Sequence, residues 1–164
     1  ANRIRLVETI SGVRNTGDVT WTDNGENRDD SESNFEQAKT EIVEKIHIAV
    51  PEFYYIPEGM EYSKFFIIPE AQMAVIKYKY NENSVYFHLM GNEKDLSQGN
   101  WKDKEKVQIE TLDEVLDVEM GTMSENEEEN YYAVWKYKDA YYELSGQIEK
   151  EEIVKILNGM QYNL

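Results

Sequence analysis

Two histidines, His47 and His88, are the side chains of this sequence that most readily bind metals or transfer protons near neutral pH. Because the chain has no cysteine, a zinc site would need both histidines together with carboxylates. Neither histidine belongs to a His-x-x-x-His or His-Glu-x-x-His spacing, which puts two ligands on one face of a helix. His47 is predicted near a helix end and His88 on a strand beside Tyr86 and Met90, so we predict no metal site and no catalytic residue.

Two acidic segments have the composition of cation sites. Asp23–Asp30 gathers hard oxygen ligands around a glycine, as calcium loops do. The EF-hand pattern fails there, because its first and third ligands would be Thr20 and Thr22 and its closing glutamate would be Ser31. Glu125–Glu129 has charge without ligand spacing. The sequence therefore predicts no cofactor and leaves weak cation binding open for both segments.

Signatures of common enzyme chemistry are missing. There is no Gly-x-Ser-x-Gly motif, and Ser145-Gly146 has no indicated histidine partner. Neither a P-loop nor the dinucleotide-binding glycine pattern occurs. A glycoside hydrolase would need two converging carboxyl groups, and the 33 acidic residues give no reason to choose a pair. The sequence favours a protein that is not an enzyme.

Aromatic side chains are the remaining binding candidates. About half of those on strands should face away from the core, and exposed Tyr and Trp make good contacts with proteins, peptides or sugars. Plain sheet structure is the favoured interpretation, since Tyr is common in strands. The aromatic residues concerned are Tyr54, Tyr55, Tyr78, Tyr80, Tyr86, Tyr131, Tyr132, Trp135, Tyr137, Tyr141 and Tyr142.

The elements that must position these residues begin with an N-terminal hairpin over residues 1–22, followed by a solvated loop. Helical spacing of apolar residues then predicts a helix that Ser31, Ser33 or Asn34 could cap and that Pro51 prevents from running further. Its apolar face is predicted to comprise Phe35, Ala38, Ile42, Val43 and Ile46.

Alternating patterns predict a series of strands between this helix and a second one near the C-terminus. A long polar loop is expected over Gly91–Lys106 and an acidic turn over Ser124–Asn130. The strands are predicted at Phe53–Ile56, Met60–Ile68, Gln72–Tyr80, Val85–Met90, Val107–Thr111, Val115–Met123, Tyr131–Tyr137 and Ala140–Ser145.

The terminal helix has clear start signals, because Glu149 and Glu152 are spaced as a capping box and Ile148 and Ile153 as a hydrophobic staple. Its apolar stripe is predicted at Ile153, Ile156, Leu157 and Met160. The predicted fold class is therefore α+β, an antiparallel β-sheet meander with two amphipathic helices packed on it.

Composition limits the partners. The 164 residues, with a formal net charge of −16, predict one globular domain over 1–164, in which a hairpin and helix (1–50) precede a meander with its C-terminal helix (51–164). An acidic surface repels phosphate backbones and anionic headgroups, so we expect neither nucleic acid nor a membrane surface as partner. No apolar run approaches the length of a membrane span, so this chain is not expected to insert directly.

Two segments resemble a known family. Tyr55–Met60 contains a tyrosine, aliphatic, Pro-Glu-Gly turn, and Trp135–Gly146 leads into the helix Lys150–Leu157. Over about residues 50–162, the sequence is similar to an uncharacterised domain-of-unknown-function family (DUF4367 type) of Gram-positive bacteria. The resemblance implies an extracytoplasmic C-terminal domain of membrane-anchored or anti-sigma-factor-like proteins, tethered by a segment absent from this chain. It supplies no catalytic residues.

These observations lead to a non-enzymatic extracytoplasmic sensing or interaction domain as the expected function. A protein, a peptide or an envelope ligand is the expected partner, and the sequence does not identify binding residues or the oligomeric state. Two alternatives stay open, a secreted glycan-acting hydrolase that uses an Asp/Glu pair and a carrier that holds an apolar ligand between sheet and helices. The absence of cysteine fits the extracytoplasmic setting without deciding it.

Overall fold

The computed structural model describes residues 34–92, 101–125 and 128–163. The hairpin predicted over residues 1–22 and the acidic segment Asp23–Asp30 lie outside the described residues.

The first described element is helix α1, Phe35–Ile46, which begins where its cap is placed. Asn34 is the N-cap, and its side-chain oxygen accepts a hydrogen bond from the N–H of Gln37 at 2.9 Å. His47 ends the helix in the left-handed conformation, with a φ of 66°. The prediction that Val43 belongs to the apolar face is wrong, because this side chain is 43% exposed, whereas Ala38, Ile42 and Ile46 are buried.

Nine strands follow in the described part of the chain, together with a second helix. Strands β1 and β9 pair with each other as a short two-stranded sheet. The other seven strands form one antiparallel sheet in the order β2-β3-β4-β8-β7-β6-β5. The bounds are β1 Glu52–Phe53, β2 Met60–Ile68, β3 Met73–Tyr80, β4 Asn83–Met90, β5 Lys102–Glu110, β6 Val115–Glu125, β7 Glu128–Tyr137, β8 Ala140–Gly146, helix α2 Lys150–Asn158 and β9 Met160–Gln161.

The predicted α+β class with an antiparallel meander is confirmed, and the sheet consists of two successive meanders. Strands β2 to β4 form one, strands β5 to β8 form the other, and β4 pairs with β8 where they meet. Both helices pack on the same side, because their buried residues share one core with alternate residues of the strands. Strands β4 and β8 therefore lie in the middle of the sheet.

Three predicted segments differ from the structure. A loop was expected over Gly91–Lys106, but strand β5 begins at Lys102. The charged residues of β5 are typical of an exposed edge strand, and because they are so numerous the segment resembled a loop in the sequence. The acidic turn expected over Ser124–Asn130 is shorter, since β6 continues to Glu125 and β7 begins at Glu128. Of the strand expected at Phe53–Ile56, only Phe53 lies in a strand, which is β1.

Helix α2 begins at the predicted N-cap, but the capping box does not form. The side chain of Glu149 makes no cap hydrogen bond and accepts one from the Tyr80 hydroxyl at 2.8 Å. Glu152 accepts instead from the Tyr55 hydroxyl. Tyr80 of β3 and Tyr55, which follows β1, thus attach the start of α2 to the strands. Local sequence spacing could not predict these long-range hydrogen bonds. Met160, predicted on the helical stripe, lies in β9.

Asp113, in the turn between β5 and β6, fixes the C-terminal end of the described chain. Its carboxylate accepts hydrogen bonds from the N–H groups of Tyr162, at 3.1 Å, and Asn163, at 2.7 Å. Burial acts to raise the pKa of Asp113, but these N–H groups and the hydroxyl of Thr111 outweigh it and lower the pKa. The ionised carboxylate therefore holds β9 beside the β5–β6 turn.

Replacing Asp113 by Asn is expected to lower the free energy of unfolding by about 1 kcal/mol, because the hydrogen bonds lose their charged acceptor. Since the carboxyl pKa is lowered in the folded protein, this contribution is present at neutral pH and lost as pH falls through the folded-state pKa. Urea unfolding of the two proteins at neutral and acidic pH measures the difference. Equal stability at neutral pH would contradict the assignment.

Gly146, at the end of β8, takes a backbone conformation that side chains rarely adopt, with a φ of 152°. A Cβ atom there would lie 2.5 Å from the carbonyl oxygen of Ser84 and 2.9 Å from the Cα of Val85. Gly146→Ala is expected to cost about 2 kcal/mol of stability, because backbone and not a flexible side chain must move. Chemical denaturation tests this, with Gly91→Ala as the matched control, where the nearest atom belongs to the Gln72 side chain at 3.2 Å. A control loss as large as that of Gly146→Ala would contradict the backbone explanation.

Candidate functional site

The seven-stranded sheet has two chemically different faces. The face toward the helices is packed with apolar and aromatic side chains, among which Ile42 of α1, Phe87 of β4 and Ile153 of α2 are completely buried. The opposite face, called here the second face, comprises the strand residues that alternate with these. Its members on strands β2, β3, β4, β7 and β8 include Phe66, Met73, Val75, Lys77, Tyr86, His88, Met90, Tyr132, Tyr141, Glu143 and Ser145.

A polar pair lies at the centre of the second face. His88 of β4 lies directly opposite Glu143 of β8 in the strand register, and Val75 lies opposite His88 on the other side. His88 and Glu143 are each 4% exposed. Side chains directly opposite each other in an antiparallel pair are close enough to interact. The sheet therefore brings a buried imidazole and a buried carboxyl group to one place from two distant parts of the sequence.

His88 is unusual because its polar atoms are unused. Neither imidazole nitrogen has a hydrogen-bond partner within the described part of the chain. Burial lowers the pKa of His88 to about 4, so the ring is neutral at pH 7 and offers one donor and one acceptor. Native proteins satisfy most buried polar atoms, so an unsatisfied imidazole is a reason to consider function.

Lysines lie on the second face next to this pair. Lys64 of β2 lies opposite Lys77 of β3, and Tyr86 of β4 lies opposite Lys77 on its other side. The Tyr86 and His88 rings are neighbours, with centroids 6.3 Å apart. Burial is the main cause of the lowered pKa of Lys77, and the charges of Lys64 and Lys79 add to it. We call Lys64, Lys77 and Lys79 the lysine cluster.

The aromatic candidates divide between the two faces. Tyr55 and Tyr131 are half-buried toward the helix side, and Tyr54 is 61% exposed. Tyr86 and Tyr141 are half-buried on the second face, where Tyr132 is buried. The aromatic candidates that belong to the packed core are Tyr78, Tyr80, Trp135, Tyr137 and Tyr142. Most of these aromatic residues therefore lie on strands of the sheet, where they are buried or half-buried, and Tyr54 lies at the surface.

The other sequence candidates are not brought into a site. His47 is exposed at the end of α1, far along the chain from the β4–β8 pair. Glu128 and Glu129 are exposed residues of β7. Within residues 34–92, 101–125 and 128–163, no group of three or more His, Asp or Glu residues could hold a metal ion. No helix of this described part is long and apolar enough to cross a membrane.

Sequence reasoning missed Lys64, Lys77 and Glu143 as members of a site. The alternation of β3 already put Lys77 on one face with Met73 and Val75, which was a signal that this face was not simply solvated. Glu143 stood between Tyr142 and Leu144, two fully buried residues of β8. Which strands become neighbours could not be obtained from local patterns, so the pairing of His88 with Glu143 could not be predicted.

Comparison with known proteins gives one match. The model of a family described as a domain of unknown function (DUF4367) matches residues 50–160, from the residue before Pro51 to the first residue of β9. No curated protein and no solved structure matches the chain. The matched region contains the seven-stranded sheet, helix α2 and all the second-face residues described above.

Proposed function

The chain belongs to the DUF4367 family of domains of unknown function, and on this premise we propose that it is a non-enzymatic sensing or interaction domain that binds a ligand on the second face of its sheet. The observation that supports the proposal is the buried pair His88 and Glu143, with both imidazole nitrogens unpartnered within the described residues. A buried polar atom without a partner costs free energy, and a ligand that supplies the partner recovers it.

The surroundings of the pair suit recognition. Half-buried Lys77, Tyr86 and Tyr141 lie on this face together with the buried apolar side chains of Phe66 and Met90. Such a mixture of a few polar groups among apolar ones is typical of ligand sites. A protein, peptide or envelope ligand is the proposed partner.

The two alternative functions have less support. A carrier would hold its apolar ligand between sheet and helices, where Ile42, Phe87 and Ile153 are fully buried and fill the interface. A glycan hydrolase would need a free pair of carboxyl groups in a cleft. Glu149 and Glu152, near each other at the start of α2, already accept hydrogen bonds from Tyr80 and Tyr55.

The extracytoplasmic location and the membrane-anchored Gram-positive parent protein are part of the proposal and rest on the family resemblance. Protease added to intact Gram-positive cells that express the full-length gene product should remove this domain while a cytoplasmic marker survives. Protection of the domain in intact cells, with digestion after lysis, would overturn the proposed location.

Binding is tested with the whole chain immobilised and probed with peptide and glycan arrays. The proposal expects captured ligands to be lost with Lys77→Glu, which changes the charge of the second face. They should be retained with Lys45→Glu, the same change at an exposed position of helix α1. Equal capture by both variants would exclude the second face, and turnover of a glycan by the wild-type chain would favour the hydrolase.

A further inference from the structure

We propose that the surface around the start of strand β9 binds a basic peptide segment that carries apolar side chains. The residues concerned are Tyr54, Leu112 and Val115, and they are called here the β9 surface. The β9 surface does not include the pair His88 and Glu143, so the inference adds a second contact region to the proposed function.

Exposed apolar side chains are the first observation. Within residues 34–92, 101–125 and 128–163, only four large apolar side chains are exposed, and three of them form the β9 surface. Tyr54 is 61% exposed, Leu112 56% and Val115 58%. Single exposed apolar residues are ordinary on a protein, whereas their concentration in one region marks a contact surface.

Backbone hydrogen bonds bring these residues together from distant parts of the chain. The Tyr54 N–H donates to the carbonyl oxygen of Gly159 at 2.7 Å, and the Leu112 N–H donates to that of Met160 at 2.9 Å. Tyr54 and Leu112 therefore flank the start of β9 on its two sides. Val115 lies three residues after Leu112, at the start of β6. Because the backbone positions are fixed before binding, little conformational freedom is lost when a partner docks.

The charges around the β9 surface select its partner. Residues 110–119 contain five acidic and no basic side chains. Glu110 and Asp117 are exposed and form no ion pair within the described part of the chain. Lys155, near the end of α2, pairs with Glu152 at 3.5 Å, so its charge is already offset. An apolar surface with an acidic border is complementary to a partner that carries positive charge.

Other occupants fit these charges less well. A second copy of this chain would bring one acidic border against another, in a protein whose formal net charge is −16. Nucleic acid and anionic headgroups are repelled for the same reason. The partner segment therefore combines apolar side chains, which cover Tyr54 and Leu112, with Lys or Arg side chains, which face Glu110 and Asp117.

An array of synthetic peptides, probed with the labelled full chain, tests this inference. Peptides that combine Lys or Arg with Leu or Phe should capture the chain. Matched peptides with Glu in place of each basic residue should not capture it, and peptides with Ser in place of each apolar residue should capture it weakly. No capture by the basic apolar peptides, or equal capture by either matched set, would overturn the proposal.

A substitution of one apolar residue locates the binding. For a captured basic apolar peptide, Leu112→Ser should weaken the affinity about fivefold or more, since one apolar contact is lost. Val43 is the fourth exposed apolar residue and lies on helix α1, so Val43→Ser is the matched control and should leave the affinity unchanged. An equal loss in both variants would place the peptide elsewhere and overturn the proposal.

Removal of charge tests the acidic border. Glu110→Gln with Asp117→Asn should weaken the affinity about fivefold and make it less sensitive to salt, since two attractive charges are removed. The matched control, Glu70→Gln with Glu82→Gln, removes the same charge from exposed positions at other turns and should have little effect. An equal loss in the control would mean that net charge alone attracts the peptide, and it would overturn the site.

Two further measurements separate this inference from its neighbours. Sedimentation of the wild-type chain should show no dimer that Leu112→Ser dissociates; such a dimer would overturn the proposal in favour of a second copy. Lys77→Glu should leave capture of the basic apolar peptides unchanged, whereas ligands of the second face are lost with it. The proposed function and the β9 surface can therefore fail separately.

Discussion

Between pH 6.5 and pH 4, His88 alone is expected to remove about 3 kcal/mol from the free energy of unfolding. Burial lowers its pKa to about 4 in the folded protein, whereas the unfolded chain has the ordinary value of 6.5. The unfolded state therefore binds more protons throughout this range. The stability contribution is complete above pH 6.5 and is lost as pH falls toward 4.

His88→Leu isolates this effect, because it removes the titrating group and keeps an apolar side chain at the position. The difference in unfolding free energy between wild type and variant, measured in urea at several pH values, should grow in favour of the variant as pH falls. At pH 7 the variant should equal or exceed the wild type, since two unpartnered nitrogens disappear.

The other histidine provides the control. His47 is exposed at the end of helix α1, and its backbone has the left-handed conformation. His47→Asn introduces a residue that tolerates this backbone conformation. This variant should reproduce the wild-type dependence on pH. A wild type that gains stability over His88→Leu at acidic pH would contradict the prediction and show that protonated His88 pairs with Glu143.

Local patterns predicted much of the framework. The N-cap of helix α1 is Asn34, one of the three predicted candidates, and the N-cap of helix α2 is Glu149, as its spacing from Glu152 and the hydrophobic staple predicted. Strands β3 and β4 follow from alternation with a polar turn between them. The failures also have local causes. Strand β5 has so many charged residues that its pattern resembles a loop, although an exposed edge strand needs that composition.

Tertiary contacts determined what the sequence could not. Glu149 and Glu152 were correctly placed at the start of α2, but Tyr80 and Tyr55 compete successfully for their carboxylates because the sheet brings the hydroxyl groups there. The candidate site has the same origin. The sequence placed His88 on a strand but could not identify the neighbouring strand. In the structure β8 pairs with β4, which places Glu143 directly opposite His88.

Trp135→Ala is expected to lower the free energy of unfolding by about 4 kcal/mol, a large part of the stability of a domain of this size. The indole is 3% exposed and stacks on Tyr142, with ring centroids 5.8 Å apart and an interplanar angle of 13°. It stacks on Phe87 as well. Truncation would leave a cavity where the middle strands of the sheet meet the helices.

The same indole also links the sheet to the C-terminal segment, because its N–H donates to the Tyr162 hydroxyl at 3.0 Å. Trp135→Phe keeps most of the stacking and loses this hydrogen bond, so its loss of stability should be clearly smaller than that of Trp135→Ala. Urea unfolding followed by far-ultraviolet circular dichroism compares the three proteins. A loss for Trp135→Ala below about 1 kcal/mol, the range of an ordinary surface substitution, would mean that this aromatic cluster does not hold the sheet and helices together.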